Sequence, residues 1–315
     1  MKPMTVGTPT AQARPEATLH PVHRRRPRIP LPYLLLLPAI VVIAATTLYP
    51  FGYAIYLSLN NYDPTLANPL QFTGLDNYAR LLFHDPEFWH SLGVTIIFVV
   101  LSVGFELLAG IGMALYLNRA FVGKRFLLPL LYLPMIATPV VVGLIWRMLL
   151  DPSYGVVNYV FGLVHLGPFL WYSSVQAALP TLILVDFWEW TPFVFLIVYS
   201  GLLAMPTEPF EAAEIDGAGK WAAFRYLTLP LLRPVLLVAI LIRMMDAFKV
   251  FDIVNMLTEG GPGNTTNVLT YNVYLKGFQD FDLGYASALS VVMFVIILIV
   301  TRMLLRQMRW RENLR

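Results

Sequence analysis

The chain has 315 residues, of which 57% are hydrophobic and only 13% are charged. Soluble domains are about 45–50% apolar and about 25% charged, so this composition excludes a soluble monomer and predicts a membrane protein. The net charge is only +3, and the absence of cysteine from the sequence excludes disulfide bonds, cysteine-ligated metals and thiol nucleophiles.

The first 30 residues are polar and rich in proline, and they end in closely spaced arginines from Arg24 to Arg28. This composition predicts a disordered cytosolic tail over residues 1–30. The apolar run that begins at Leu31 continues to about Leu57, which is longer than a secretory signal. Such a run is typical of a signal anchor that stays in the membrane.

A membrane-spanning helix requires about 20 mostly apolar residues, and several stretches of this chain meet that requirement. They run from Leu31 to Leu57, Phe88 to Leu117, Phe126 to Leu150, Val175 to Leu203, Leu231 to Leu257, and Ala286 to Leu305. Prolines interrupt several of them, and neighbouring helices can satisfy the backbone groups that a proline frees. We therefore expect an all-α, polytopic membrane protein with six kinked transmembrane helices in residues 31–308, followed by a basic cytosolic tail over residues 309–315.

The basic residues predict the orientation of the chain, because cytosolic loops are enriched in lysine and arginine. With the amino terminus in the cytosol, most basic residues fall on the cytosolic side, and the loops on the other side hold only Arg80 and Lys276. Both termini are then cytosolic. The same distribution explains the sequence pI of about 9.0 without a nucleic-acid partner.

Three long loops lie on the outer side in this topology, at residues 58–87, 151–174 and 258–284. The first two are rich in Asn, Asp, Pro and aromatic residues, and Trp171 and Tyr172 are candidates to anchor at the membrane surface or to form a protein-facing platform. The third opens with the turn-forming run Glu-Gly-Gly-Pro-Gly. Solvated connection is the simplest interpretation of all three, and a protein-docking role is an equal alternative for the third.

The sequence shows no motif for catalysis or nucleotide binding. It has no G-x-x-x-x-G-K-[ST] phosphate loop and no metal-ligand spacing, and its histidines lie in tails, loops or span edges. The chain is therefore not expected to be an enzyme or to hold a metal or cofactor itself. A transport function would take its energy from a separate ATPase subunit or from an ion gradient.

The fourth span carries acids and aromatic residues on one helical face, at positions i, i+3, i+4 and i+7. These residues are Asp186, Glu189, Trp190 and Phe193. Carboxylates can bond sugar hydroxyls and aromatic rings can stack on the apolar faces of sugars, so this face suits a passing carbohydrate. The alternative is structural, because an acid in hydrocarbon is costly unless it faces a cavity or a partner on a neighbouring helix.

The fifth span carries charges that alternate in sign every three residues: Arg243, Asp246, Lys249 and Asp252. On one continuous helix they would form a spiral stripe in which adjacent pairs neutralise each other. Internal ion pairs are favoured over substrate contact for this stripe, and a proton relay is a weaker alternative. Glu106, a lone acid in the second span, is predicted to pair with a basic group on another helix.

Residues 205–230, between the fourth and fifth spans, predict a short docking helix on the cytosolic side. Thr207 is the predicted N-cap and Pro209 is tolerated in the first turn. Negative charge is placed near the positive end of the helix dipole by Glu208, Glu211 and Glu214. Part of the helix surface is left bare by the small residues Ala212, Ala213 and Gly217. Gly219 is expected to end the helix.

The same segment carries a spaced motif: Glu211, Ala212 and Ala213, then Gly217 after three residues, then Leu227, Thr228, Leu229 and Pro230 after nine more. It resembles the EAA loop of binding-protein-dependent ABC importer permeases, with Leu227 where that family usually has Ile. The resemblance extends from about Leu31 to Met308. The runs Phe187–Gly219 and Arg243–Gly263 are similar to carbohydrate-importer permeases of the maltose, trehalose and glycerol-3-phosphate kind.

This resemblance implies a type I ABC importer permease fold, with residues 205–230 as the coupling loop. It implies ATPase docking by Glu211, Ala212, Ala213 and Gly217. It also implies substrate binding by Asp186, Glu189, Trp190, Phe193, Arg243, Ala247 and Val250. This chain has charge where the maltose permease has neutral or hydroxyl side chains, so a di- or oligosaccharide of the trehalose or maltose type is expected rather than maltose itself.

The resemblance further implies a second, homologous permease subunit, a dimer of cytosolic ATPase subunits that bind ATP and Mg, and an extracellular or periplasmic solute-binding protein. The location would be the cytoplasmic membrane of a prokaryote, in contact with lipid. Two alternatives stay open. One is an ion-coupled secondary transporter, which typically shows an internal repeat that this sequence lacks. The other is a membrane scaffold without transport activity.

Overall fold

The computed structural model of the chain describes residues 31–66, 70–119 and 121–312. The predicted tail over residues 1–30 lies outside the described residues, as do residues 313–315 of the predicted carboxyl-terminal tail. The described chain divides into two units, one that ends at Pro50 and one that begins at Phe51.

Helices form almost all of the regular structure. In the first unit, α1 (Leu31–Ile43) continues through a π-helical turn (Ala44–Leu48) into α2 (Tyr49–Ser58), which extends into the second unit. The strands β1 (Asn60–Tyr62) and β2 (Leu70–Phe72) then pair as an antiparallel hairpin. The remaining helices are α3 (Asp76–Ala79), α4 (Pro86–Leu117), α5 (Lys124–Ile136), α6 (Pro139–Leu149), α7 (Val156–Leu163), α8 (Ala178–Leu203), α9 (Glu208–Ile215), α10 (Lys220–Ala223), α11 (Leu229–Ala247), α12 (Asp252–Leu257), α13 (Leu269–Tyr274) and α14 (Leu283–Glu312). Further π-helical turns are Arg80–His84, Phe224–Thr228 and Leu275–Gln279.

Five helices of the described chain are long and apolar enough to cross a membrane: Leu35–Ser58, Pro86–Leu117, Ala178–Leu203, Lys220–Ala247 and Leu283–Arg306. The bent pair α5 and α6 supplies a sixth span when the two are counted together. The predicted all-α membrane fold is therefore confirmed.

The third span is broken by a bend of 96° between α5 and α6. Ala137 and Thr138 are extended at this point, with ψ angles of 147° and 142°. The ring of Pro139 disfavours helical backbone at the residue before it, so Thr138 cannot continue the helix. Pro139 itself is well placed in the first turn of α6, where a missing N–H is tolerated. The expected proline kink is present here.

The fifth predicted span, Leu231 to Leu257, is wrong at its carboxyl-terminal end. Helix α11 stops at Ala247, and α12 begins at Asp252 as a separate helix. Between them the amides of Lys249 and Val250 bond the carbonyls three residues earlier, which tightens and ends the turn. The hydroxyl of Thr270 bonds the carbonyl of Val250, which helps to satisfy the exposed end.

Close packing of α4 against α8 forms the centre of the second unit. A Cβ atom on Gly110 of α4 would lie 2.7 Å from a methyl group of Val194 and 3.0 Å from the backbone nitrogen of Phe195. Likewise, a Cβ on Gly143 of α6 would lie 2.7 Å from the Cβ of Met256. Small residues allow helix backbones to approach closely, which is how helices in membranes gain packing energy.

Candidate functional site

A fully buried arginine ties three helices together. Arg243 of α11 is 1% exposed and Glu106 of α4 is 0% exposed. The Nε and Nη2 atoms of Arg243 donate to the two carboxylate oxygens of Glu106 at 2.6 and 2.7 Å. Nη2 also donates to Asp186 of α8 at 3.1 Å, and Nη1 donates to Asp246 at 2.8 Å. One guanidinium thus bridges α4, α8 and α11.

The geometry of the Arg243–Glu106 pair explains why this charge can be buried. Two parallel N–H···O bonds between a planar guanidinium and a carboxylate are the strongest arrangement that such a pair can form. Disrupting such a buried ion pair is costly, because removing one partner leaves the charge of the other buried without a counter-charge. The prediction that Glu106 pairs with a basic group on another helix is confirmed.

Trp190 covers the cluster from one side. Its ring centroid lies 4.6 Å from the guanidinium carbon of Arg243, within the range of a cation–π contact. Phe193 packs against Trp190 edge to face, with 6.1 Å between ring centroids. These two aromatic residues therefore form a continuous surface beside the ion cluster.

Glu189 is the unusual member of this face. It is 1% exposed, yet neither of its carboxylate oxygens has a hydrogen-bond partner among the described residues. Buried polar groups are normally hydrogen-bonded, so an unpaired one calls for a specific explanation.

A small cavity opens beside the cluster, with a volume of about 90 Å³. Its lining brings together both predicted substrate faces, through Asp186 and Trp190 from α8 and Ala247 and Val250 from the end of α11. Because ligand pockets typically have about 300–1,000 Å³, the cavity is too small for a sugar in this conformation. Of the predicted substrate residues, Glu189, Phe193 and Arg243 do not line it.

The predicted charge stripe is only partly correct. Arg243 and Asp246 form the expected i, i+3 ion pair at 2.8 Å. Lys249 lies in the break after α11, where it is exposed and forms no ion pair with any described residue. Asp252 begins a new helix. Asp246, Lys249 and Asp252 all line the cavity, together with Pro139 and Phe251, which the sequence did not single out.

The predicted docking helix is present as α9, with Pro209 in its first turn and acids at Glu208 and Glu211. Two details of the prediction are wrong. The side chain of Thr207 makes no capping hydrogen bond. Glu214 is the penultimate residue of this short helix, so it lies near the negative end of the dipole rather than the positive end.

Gly217, and not Gly219, ends the docking helix. Gly217 has a φ of +76°, a left-handed conformation that favours glycine. The amide of Gly217 bonds the carbonyl of Glu214, and the amide of Ala218 bonds that of Ala213, which is the Schellman pattern of a helix end. The predicted bare helix surface is therefore limited to Ala212 and Ala213. A Cβ on Gly217 would meet no atom within 4 Å.

The segment from α9 to α11 exposes large apolar side chains that sequence reasoning missed. Ile215 is 87% exposed, and Trp221 and Tyr226 are also mostly exposed. Together with Glu211 and Ala212, which are exposed as well, they form an accessible surface of mixed character. Exposed apolar patches of this kind mark interaction sites.

At the other end of the spans, Trp171 and Tyr172 pack within the chain and not as a free platform. The indole nitrogen of Trp171 donates to Asn158 at 3.0 Å, and the hydroxyl of Tyr172 donates to Asp151 at 3.2 Å. The backbone amide of Ser153 also donates to Asp151, and these bonds hold the pKa of that carboxyl below its usual value.

Comparison with known proteins gives a consistent result. Residues 106–309 match the family model described as "Binding-protein-dependent transport system inner membrane component". The chain is 36% identical over 286 residues to the "Trehalose/maltose transport system permease protein MalF" of Thermococcus litoralis, covering 90% of this chain and 95% of that protein. It is 34% identical to the "Sulfoquinovosyl glycerol transport system permease protein SmoG" of Agrobacterium fabrum, covering 90% of this chain and 91% of that protein.

A third relative is the "sn-glycerol-3-phosphate transport system permease protein UgpA" of Yersinia pestis, which is 32% identical over 86% of this chain and 91% of its own length. Among solved structures, a chain of a bacterial ABC transporter involved in the import of the acidic polysaccharide alginate superposes with a TM-score of 0.77. That chain is 23% identical, and the match covers 89% of this chain and 95% of that one. It supports the fold alone.

Proposed function

We propose that this chain, which belongs to the family of binding-protein-dependent transport system inner membrane components, is the permease subunit through which an ABC importer carries a di- or oligosaccharide of the trehalose or maltose type into the cell. The observation that carries the proposal is the extent of the similarity. Three relatives at 32–36% identity are sugar or glycerol-derivative permeases, and each match covers at least 86% of this chain.

The proposed substrate site is the cavity bordered by the middle of α8, the end of α11 and the start of α12. Asp186, Trp190, Ala247 and Val250 already line it. The carboxylate can accept hydrogen bonds from sugar hydroxyls, and the indole can stack on an apolar sugar face. Because the cavity is smaller than the roughly 300–1,000 Å³ of typical ligand pockets, it must widen to admit a sugar. A second permease subunit would supply the facing wall.

The remaining predicted substrate residues take supporting roles in this proposal. Arg243 is covered by its three carboxylates and holds Asp186 and Trp190 in place. Phe193 braces the Trp190 ring. Glu189 has two unpaired buried oxygens and is the residue of this face most suited to a partner from outside the chain.

The proposed ATPase-docking surface is the exposed segment after α8, with Glu211, Ala212, Ala213 and Gly217 as its motif. It connects α8 directly to α11, and these two helices carry Asp186 and Arg243. Movement of the docking segment on a cytosolic ATPase is therefore transmitted to both helices that form the cavity. The ATPase dimer would bind ATP and Mg, and this chain would bind neither.

Both termini are proposed to be cytosolic, because the docking segment and most basic residues then share the cytosolic side of a prokaryotic cytoplasmic membrane. The opposite side would meet an extracellular or periplasmic solute-binding protein. A secondary transporter is not favoured, because the carboxylates of the buried charged cluster around Arg243 already form ion pairs with that arginine.

The test is to purify the chain from its native membrane in mild detergent and to identify the proteins that accompany it. We expect a second permease and an ATPase, with ATP hydrolysis stimulated by one sugar-loaded binding protein from a panel of sugars. A chain that purifies without an ATPase, and whose sugar uptake survives ATP depletion but collapses with an uncoupler, would contradict the proposal.

A further inference from the structure

The loop between α6 and α8 differs from the other long loops of the chain in its low charge, since Asp151 is its one charged residue. From Pro152 to Val185 the sequence contains no Asp, Glu, Lys or Arg. A water-exposed stretch of average composition carries about one charged residue in four. The other long loops each carry at least four charged residues: Asp63, Asp76, Arg80 and Asp85 in one, and Glu259, Lys276, Asp280 and Asp282 in the other.

Helix α7 lies in the uncharged part of this loop, after Asp151, and presents one apolar face away from the chain. Exposed side chains occur at positions i, i+3, i+4 and i+7 of the helix: Val156, Tyr159, Val160 and Leu163. This spacing places them on a single stripe. No charged or small polar side chain interrupts the stripe, and Tyr154 extends it just before the helix begins.

The opposite face of α7 is joined to the rest of the loop by hydrogen bonds of the Asn158 side chain. The amide nitrogen of Asn158 donates to the carbonyl of Phe169 at 3.0 Å, and its oxygen accepts from the amide of Phe169 at 3.1 Å and from the indole of Trp171 at 3.0 Å. The rings of Phe161 and Phe169 meet edge to face at 5.4 Å. The polar side chain of Asn158 is thus turned toward the loop and the apolar stripe outward. Exposed polar side chains elsewhere in the loop are Ser153, His165, Ser173 and Gln176.

We propose that α7 lies flat in the headgroup layer of the bilayer, with this stripe inserted toward the lipid acyl chains. The loop leaves one span at Leu149 and enters the next at Ala178, so both of its ends are at the membrane surface. Amphipathic helices at the interface bury one apolar face in the headgroup and acyl boundary. Exposed tyrosines are enriched at that depth.

Lipid fits this face better than a protein that docks and leaves. A transient protein interface has a polar rim and is about as apolar as an ordinary protein surface. The stripe contains no charged group, and the carboxylate of Asp151, the one charged residue of the loop, accepts hydrogen bonds from Ser153 and Tyr172 within the loop. Inward-facing polar groups are also what a lipid-facing loop requires, since unsatisfied backbone groups are costly there.

The natural absence of cysteine makes a direct depth measurement possible. We introduce Val160→Cys or Leu163→Cys into the full chain and purify each variant together with cysteine-free versions of its co-purifying subunits. Each single cysteine is then labelled with a nitroxide. The complex is then reconstituted in phosphatidylcholine and phosphatidylglycerol vesicles. Collision with oxygen, which concentrates in lipid, and with a neutral nickel complex, which stays in water, is measured by power saturation. Both labels are expected to collide more with oxygen than with nickel.

Two control positions bracket the result. Ile299→Cys, exposed on the membrane-spanning helix α14, gives the lipid-facing value, and Gln279→Cys, exposed in a charged loop, gives the aqueous value. Labels at Val160 and Leu163 that match Gln279→Cys would overturn the proposal by placing the stripe in water. Protection of both labels from both reagents would overturn it by showing that another protein covers the stripe. Neither outcome bears on whether the chain carries a sugar.

Discussion

Replacement of Arg243 tests whether the buried ion cluster holds the spans together or exists to contact substrate. Arg243→Gln keeps a hydrogen-bonding side chain but removes the guanidinium that forms ion pairs with both Glu106 and Asp186, which are 0% and 2% exposed. Two carboxylates would then be buried without a counter-charge. If the cluster is structural, this change should destabilise the folded chain strongly.

The expected magnitude follows from the burial and geometry of the cluster. Breaking a buried ion pair by removing one partner costs about 3–5 kcal/mol. Since each 1.4 kcal/mol is a factor of ten, the folding equilibrium should fall by about two to four orders of magnitude. The interaction with Asp246 contributes little to this loss, because that carboxylate is 44% exposed and remains hydrated.

The assay is the free energy of unfolding in mixed micelles, measured by titration with a denaturing detergent and followed by helix content. Lys249→Gln is the matched control, because it also removes a positive charge close to the cavity. Lys249 is exposed and has no ion pair among the described residues, so its loss should change stability by less than about 0.5 kcal/mol. Adding Glu106→Gln to Arg243→Gln should restore part of the loss, since one uncompensated carboxylate is removed.

Equal stability of Arg243→Gln and Lys249→Gln would refute the structural interpretation. If that equality came with loss of sugar uptake in the Arg243 variant, the guanidinium would be a substrate ligand instead. Additive effects of the two substitutions in the Arg243 and Glu106 double variant would likewise show that the pair is not coupled in the folded protein.

Three further changes test the docking segment, the helix packing and the cavity. Gly217→Val forces a β-branched residue into a left-handed backbone at a cost of about 1–2 kcal/mol, and this variant should lower ATP-coupled uptake. The control Gly219→Ala, at a position with a φ of −68°, should leave uptake unchanged. Equal uptake by both variants would contradict the role of the Gly217 turn. Gly110→Ala should destabilise the chain by about 1–3 kcal/mol through overpacking against α8. In the same detergent titration, the control Gly112→Ala should be neutral, because a Cβ there meets no atom within 4 Å. A neutral Gly110 variant would refute the packing argument. Trp190→Leu should reduce the maximal rate of sugar uptake, whereas Trp190→Phe should retain most of that rate because a ring remains over Arg243. Equal uptake rates of the Leu and Phe variants would exclude ring stacking.

Local sequence patterns predicted the spans well because length and hydropathy decide them within a single segment. The same patterns placed the bend of the third span, since Pro139 acts on its immediate neighbour. They failed where a contact distant in sequence decides the outcome. The end of α11 at Ala247 is coupled to Thr270, whose hydroxyl bonds the carbonyl of Val250, and periodicity within residues 231–257 gives no sign of it.

The ion cluster illustrates the same division. The i, i+3 pair of Arg243 and Asp246 is readable from spacing alone. The stronger pair joins Arg243 to Glu106, which is 137 residues away, and only the argument that a buried acid needs a partner pointed to it. In the docking segment, the glycine that ends the helix was misassigned by two residues, because both Gly217 and Gly219 are compatible with a helix end by composition. Only the positive φ of Gly217 distinguishes them.

The cluster also constrains how the proposed importer can move. Arg243 joins α4, α8 and α11 through buried bonds, and separating these helices would expose charges that have no alternative partner among the described residues. The docking segment is attached to α8 and α11, two of the three joined helices. A force applied there therefore moves the group as one body and does not pull it apart. In the proposed importer, the path for sugar would then open between this body and the second permease subunit, with the cavity beside Trp190 at the edge of the moving surface.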